Sequence, residues 1–333
     1  MESKIGAVVI GRNEGERLKA CLESILSSVD IVVYVDSGSQ DGSVTHAESR
    51  GVHVVELDLS RPFSAGRARN EGFKALVKAA PDVGFVQFID GDCQVDGGWL
   101  AAAAKFLSET PRCAIVCGRR KEKFPEVSIY NKLCDIEWDT PIGKAMACGG
   151  DFLARVEAFA EVGGFDPSVI AGEEPEMCFR LRERGWEIWR IDQMMTMHDA
   201  QMTRFKQWWL RAKRCGHAYG QGHAMHGDSP EQYYKREVRS AIVWGLMVPL
   251  ILLMAFLVWI AGAPAAILML VFIPAVLYLK VLKYAFNSKA LPLSTAMIFS
   301  FFIVLAKAPE LIGIITYQLR ARNNKAPSII EYK

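Results

Sequence analysis

The chain carries almost no net charge: 39 Lys and Arg against 37 Asp and Glu leave +2 at neutral pH. Such a balance gives no bulk attraction to nucleic acid. Cysteine occurs eight times but scattered, with only Cys113 and Cys117 close together. That scatter excludes a zinc ribbon and a disulfide framework, and reads as buried or free thiols of a reducing compartment. No glycine-rich phosphate loop follows the first apolar run. "VVIGRNEGE" lacks G-x-G-x-x-G, which argues against a dehydrogenase or a nucleotidyltransferase. Ile5 to Ile10 is too short for the core of a secretory signal, so none is expected.

What is present divides in two. Through residue 238 the sequence looks like an ordinary soluble protein, and from Ala241 to about Leu319 it is mostly apolar. In the first part, short apolar runs at 5–10, 31–36, 52–57, 83–90 and 113–118 alternate with helical periodicity at 14–27, 41–49, 64–79 and 98–108. This alternation predicts an α/β fold with a mostly parallel sheet flanked by helices. Ligands of such sheets bind beyond the carboxyl ends of the strands. Three of those ends carry polar clusters, "GRNEGE", "DSGSQDGS" and "DGDC", which gather on one rim. Arg12, in the first cluster, is a candidate for binding the ligand of that rim. Asp90 and Asp92 end the fourth strand. Two neighbouring carboxylates repel unless something positive joins them, so either a divalent metal or a hydrated Asp-Gly turn accounts for the pair.

The apolar part predicts a helical hairpin, about 241–261 and 265–282, turning at Pro264. Lys235, Arg236, Arg239, Lys280, Lys283 and Lys289 flank its two ends, which places both on the cytoplasmic side. A further segment, about 291–319, is interrupted by "KAPE". It is read as broken re-entrant or interfacial, with a third span as the alternative. "RFKQWWLRAKRCGHAYGQG" (204–222) predicts an interfacial helix, with Phe205, Trp208 and Trp209 on one face and basic residues interspersed. His217, His223 and His226 are read as loop or headgroup-facing residues rather than a metal cluster. Arg211 and Arg214 are candidates for holding a diphosphate, either a donor's or a lipid carrier's.

The segments "VVIGRNEGERLKACLESI" (8–25), "VYVDSGSQDGS" (33–43), "SAGRARNEGF" (64–73), "FIDGDC" (88–93) and "GGFDPSVIAGEEPEMCFRLRERGW" (163–186) follow one another in the order of a known pattern. They resemble the family 2 glycosyltransferases, enzymes of the Rossmann-like GT-A fold that use nucleotide-diphosphate sugars, over roughly residues 4 to 215. The tail is similar to that of a subgroup with C-terminal membrane helices. By that resemblance Asp36 contacts the nucleotide base and Arg69 lies in the nucleotide pocket. Asp90 and Asp92 bind Mn2+ or Mg2+ on the donor diphosphate, and His198 is a further metal or diphosphate ligand. Glu174 is the general base. The family commonly has Glu-Asp where this chain has Glu173-Glu174, so Glu173 stays a second candidate. Gly149, Gly150 and Asp151 line the sugar and acceptor pocket, unless they form a plain loop. Independently of the resemblance, Pro175 at a first helical position would make Glu174 an N-cap, which explains its acidity without catalysis.

The expected organisation is a cytoplasmic catalytic domain (1–203), an interfacial helix and linker (204–238), a membrane region (239–320) and a tail (321–333). The expected protein is multi-pass in the inner membrane. The expected activity is inverting transfer of one sugar to a lipid-linked acceptor, such as a polyprenyl-diphosphate saccharide of surface polysaccharide or glycolipid synthesis. Polyprenyl phosphate, a glycerolipid or a sphingolipid are alternative acceptors, and a degenerate membrane adaptor is the non-enzymatic alternative. Two or three membrane segments are few for a secretion channel, and "QWWLR" (207–211) departs from the Q-x-x-R-W of processive relatives, so single transfer is preferred.

Overall fold

A computed structural model describes residues 3–261 and 267–323. The chain falls into two compact units, Met1–Thr203 and Arg204–Lys333. The first is built on a nine-stranded sheet. Its strands are β1 (Lys4–Gly11), β2 (Ile31–Asp36), β3 (His53–Glu56), β4 (Val83–Asp90), β5 (Cys93–Val95), β6 (Cys113–Glu122), β7 (Gly143–Ala145), β8 (Phe152–Arg155) and β9 (Glu187–His198). Between them lie α1 (Glu16–Ile25), α2 (Ser43–Ser49), α3 (Ala65–Ala79), α4 (Trp99–Glu109), α5 (Ile129–Trp138), α6 (Val156–Glu161) and α7 (Glu173–Glu183).

The sheet order is β3-β2-β1-β4-β8-β6-β9-β5, with β7 also on β9. The first four neighbours are parallel, as the alternation of runs predicts. The far half is mixed: β8 is antiparallel to both β4 and β6, and β5 and β7 are antiparallel to β9. Strands of the parallel half are continuous apolar runs because helices cover both of their faces. Val8, Val9, Val33, Val35, Val86 and Phe88 are all fully buried. Register brings the strand ends together. Ile10 pairs with Asp90 and Gly11 with Asp36, so three polar loops leave the sheet side by side.

Helix α3 begins at an N-cap: the Ser64 hydroxyl accepts from the Arg67 backbone N–H at 3.1 Å. Its Gly72 lies so close to the sheet that a Cβ would meet Val8 at 2.4 Å and Val35 at 2.8 Å. That approach seats the first turns of α3, and Arg69 with them, over the strand ends. Helix α7 starts earlier than the proline predicts. Gly172, in the left-handed region at φ 75°, is the N-cap, and Glu173 and Glu174 are the first two helical residues. Both carboxylates thus sit at the positive end of the helix dipole.

The second unit holds α8 (Phe205–His226), α9 (Lys235–Ile260), α10 (Ile267–Asn287), α11 (Leu293–Leu305) and α12 (Lys307–Arg322). His217, His223 and His226 all lie within α8, among Gly216, Gly220 and Gly222, and not in a loop. Those glycines serve packing. A Cβ on Gly216 would come within 1.9 Å of the Glu310 carbonyl oxygen, and one on Gly313 within 2.1 Å of the Lys213 carbonyl oxygen. Close approach of α8 and α12 needs residues without side chains. Two stretches, Lys235–Ile260 and Leu293–Arg322, are long and apolar enough to cross a membrane by length and composition. Within the second, only Ala306 separates α11 from α12, and Lys307 bonds Glu310 at 2.7 Å, so the two charges of "KAPE" neutralise each other. The Pro264 turn, the start of the expected second span and residues 324–333 lie outside the described residues.

Candidate active site

The loops at the sheet rim are stitched to one another. The Asn13 N–H donates to Ser39 Oγ at 2.8 Å, the Gln40 N–H to Asn13 Oδ1 at 2.7 Å, and the Gly15 N–H to Asp41 Oδ2 at 2.8 Å. Asp36, at the end of β2, is 1% exposed. Its carboxylate accepts from the Tyr34 hydroxyl at 2.8 Å and from the Gly38 and Ser39 N–H groups at 2.8 and 2.7 Å. Three donors hold it in place beside the Gly11 register position. Arg12 stacks its guanidinium over the Phe63 ring at 4.8 Å, on the loop that leads into α3.

Arg69 is the hub of the rim. It is 2% exposed and donates to Asp90 Oδ1 at 2.7 Å and to Glu174 Oε1 at 2.9 Å, with Glu173 Oε1 at 3.6 Å. Burial works against its charge, and the three carboxylates outweigh that effect and keep it protonated. Asp90 is held from its other side by Arg120, whose Nη2 lies 3.3 Å from Asp90 Oδ2. Burial opposes the Asp90 charge, but Arg69 and Arg120 hold its carboxyl below the usual carboxylate range. Gly150 presses against this pair, since a Cβ there would meet Asp90 Oδ2 at 2.7 Å and Arg69 Nη2 at 2.9 Å.

Glu174 behaves differently. Burial first, and then the neighbouring Glu173 charge, push its carboxyl up to about 7 despite Arg69. Its side chain is 15% exposed, whereas that of Glu173 is 4% exposed. A carboxylate about half ionised at neutral pH, and less enclosed than Glu173, can take up a proton, which is the property a general base needs.

Asp92 and Asp90 meet different partners. Asp92 Oδ1 lies 3.3 Å from His198 Nε2, because β5 pairs Cys93 directly with His198. The other face of the imidazole looks toward Glu122 Oε2 at 3.7 Å, and its edge rests on the Trp138 ring at 4.7 Å. Ligand atoms of Asp92, Cys93 and His198 lie within 4.8 Å of one another, and so do those of Asp90, Cys93 and Asp151. Burial pushes the Cys93 thiol well up, so it keeps its proton. The first group therefore offers one carboxylate oxygen and one imidazole nitrogen, a set that suits Mg2+ or Mn2+ completed by substrate oxygens. These residues fit such a cation.

Arg120, which carries no motif, and Asp151 complete the rim. Arg120 bridges Asp90 and Asp151, at 3.3 and 3.4 Å, and stacks over Trp138 at 5.0 Å. Asp151 is fully buried behind Asp90, not on a pocket wall. It accepts from the Asp90 N–H at 3.1 Å and from the Thr196 hydroxyl at 2.7 Å. The signal for Arg120 was the continuation of the apolar run "CAIVCG" into "RRKE", since charges that prolong a central strand need partners. Arg211 and Arg214 are on α8, in the other compact unit from the rim residues.

Residues 7–162 match the sequence model of the family described as Glycosyl transferase family 2. The chain is 28% identical over 223 residues to a pre-mycofactocin glycosyltransferase of Mycobacterium tuberculosis, covering 62% of this chain and 45% of that protein. The chain thus spans a little under half the length of the curated relatives it matches. Among solved structures it is similar to a mannosyltransferase from Pyrobaculum calidifontis in complex with GDP-Man and Mn2+. That likeness has a TM-score of 0.56 at 16% identity and covers 98% of this chain and 88% of the other, which establishes the GT-A type of fold. Residues 7–162, the part that carries Asp36, Arg69, Asp90 and Asp92, are thus similar to glycosyl transferase family 2.

Proposed function

We propose that this protein is a membrane-associated inverting glycosyltransferase that moves one sugar from a nucleotide-diphosphate sugar to a lipid-linked acceptor. The observation that carries the reading is the Arg69 hub, which joins Asp90 to Glu174 within one rim. Asp36, with Arg12 beside it, takes the nucleotide end of the donor. Asp92 and His198 hold the divalent cation, and Asp90 stays oriented by its two arginines. When bound, the cation neutralises charge that develops on the leaving diphosphate. Arg69 and Arg120 supply fixed positive charge to the same end of the donor.

Glu174 is the base. It removes the proton from an acceptor hydroxyl as that oxygen attacks the anomeric carbon from the face opposite the diphosphate. The C–O bond to the diphosphate breaks as the new glycosidic bond forms, so configuration inverts. General-base help of this kind contributes roughly 10²–10⁴-fold. Glu173, almost wholly enclosed, raises the Glu174 affinity for the proton and does not meet the acceptor.

The acceptor reading rests on the second unit. Its apolar stretches Lys235–Ile260 and Leu293–Arg322 suit membrane spans, and Lys235, Arg236 and Arg239 in the first turns of the first favour a cytoplasmic start. The Lys307–Glu310 pair lowers the cost of a third crossing, although a re-entrant path keeps the positive residues 320 and 322 inside. The activity is tested by giving membranes that contain the full chain UDP-, GDP- or dTDP-linked sugars with Mn2+. Label should pass from one donor into a solvent-extractable lipid. Label confined to protein or to free sugar would contradict the lipid acceptor.

A further inference from the structure

Glu122, the last residue of β6, closes the charged run that prolongs that strand, yet it is fully buried. Strand register sets it beside His198 of β9, where the Lys123 N–H donates to the His198 carbonyl oxygen at 2.8 Å. A carboxylate removed from water needs its oxygens satisfied. Oε1 accepts from the Phe124 N–H and from Asn131 Nδ2, both at 3.2 Å, and Oε2 accepts from the Ala200 N–H at 3.1 Å. Asn131 is pinned in turn, because its Oδ1 accepts from the Met202 N–H at 2.9 Å. These bonds fix the Glu122 side chain but do not account for one contact. Oε2 also faces His198 Nδ1, at 3.7 Å.

That nitrogen is enclosed and has no hydrogen-bond partner among the described residues. The His198 ring is 5% exposed, with Nε2 3.3 Å from Asp92 Oδ1 and its edge on Trp138, so it is confined between two acidic side chains. A buried donor or acceptor left unpaired is unfavourable. Glu122 is the acceptor within reach, since closing the gap to hydrogen-bond length takes a shift of about 0.5 Å. A ring nitrogen that binds a cation presents its lone pair, which leaves the ring proton on the other nitrogen. With Nε2 turned to the cation beside Asp92, that proton lies on Nδ1 and points at Glu122. We propose that Glu122 is a positioning residue: it accepts the His198 Nδ1–H and so holds the Nε2 lone pair toward the cation. Glu122 acts only through the imidazole, as an outer carboxylate that sets the tautomer and angle of a ligand ring. This rests on the reading of Asp92 and His198 as the cation's ligands, and adds the group that orients one of them.

The test is Mn2+ binding by the full chain in detergent, followed as loss of the free-ion EPR signal at fixed pH and ionic strength. Asp92→Asn and His198→Ala should each weaken binding. Glu122→Gln keeps the shape of the side chain, but its oxygen is drawn to the two donors at Oε1. Its amide N–H group then faces Nδ1 and favours the wrong tautomer. This variant should bind Mn2+ about 10–100-fold more weakly. In a His198→Gln chain, which offers the cation an oxygen and has no ring to hold, Glu122→Gln should change affinity by less than about twofold. An equal loss in both backgrounds would overturn the proposal, because Glu122 would then act through its charge or through the fold. Undiminished binding by Glu122→Gln in the otherwise unaltered chain would overturn it too. Failure of the cation reading looks different: the unaltered chain would not bind Mn2+, or Asp92→Asn and His198→Ala would bind it as tightly. If Glu122→Gln does not fold, Glu122→Asp decides. It keeps the charge but draws it back by one methylene, and undiminished Mn2+ binding there overturns the proposal.

Discussion

The Arg69 guanidinium donates to Glu174 Oε1 at 2.9 Å while its other nitrogen holds Asp90 at 2.7 Å. One buried cation thereby sets the position of the proposed base relative to the end of the donor strand. Arg69→Ala should leave Asp90 and the two glutamates facing one another without compensation, and cost about 3–5 kcal/mol in chemical denaturation. Arg69→Lys should recover part of that stability but little transfer, because an ammonium cannot span both carboxylates. Full transfer by the lysine variant would mean that the bridge is incidental.

The raised Glu174 carboxyl predicts a pH profile. A base must be ionised to act, so kcat/KM should rise with pH through about 7 and level above it. Glu174→Gln should lower transfer by roughly 10²–10⁴-fold, keep donor affinity and abolish that rise. Stability follows the opposite sense. The folded protein holds the Glu174 proton more tightly than the unfolded chain, so this group's contribution is present below its ordinary value of 4.5 and is lost as pH rises to about 7. The Tm of Glu174→Gln should therefore gain on that of the unaltered chain across this window. Parallel Tm curves for the two proteins would show that the carboxyl is not raised.

Gly150 gives a test of the close contact between its backbone and the Asp90–Arg69 pair. Gly150→Ala places a methyl where those side chains meet, at 2.7 and 2.9 Å. Overpacking at such a site costs about 1–3 kcal/mol, and the displaced pair should weaken donor binding further than the change in Tm implies. Unaltered donor affinity would show that Asp90 can move without consequence.

The parallel half of the sheet was readable because continuous apolar runs ended in polar loops, and register then brought Gly11, Asp36 and Asp90 to one rim. The mixed half was not. Nothing in the pattern of "FLAR" (152–155) says that it pairs antiparallel with both β4 and β6, since periodicity reports a buried face and not a partner. Arg120 escaped for the same reason, and Asp151, expected on the sugar and acceptor pocket, is instead buried behind Asp90: both placements arise only once β6 and β8 lie beside β4. His217, His223 and His226 read as loop or headgroup-facing residues, yet α8 runs on through Gly216 and Gly220, where packing against α12 overrode the low helix propensity of glycine. At α7, the preference of proline for a first helical position lost to Gly172, whose left-handed backbone caps a helix that starts at Glu173, two residues before Pro175.

Donor binding to the purified full chain tests the central claim most directly. Thermal shift with UDP-, GDP- and dTDP-sugars, with and without Mn2+, should show stabilisation by one nucleotide that depends on the metal. Asp92→Asn should lose that dependence, because it removes the carboxylate charge beside His198 while keeping its shape. A metal-dependent shift that survives in Asp92→Asn, or no shift with any donor, would contradict the account.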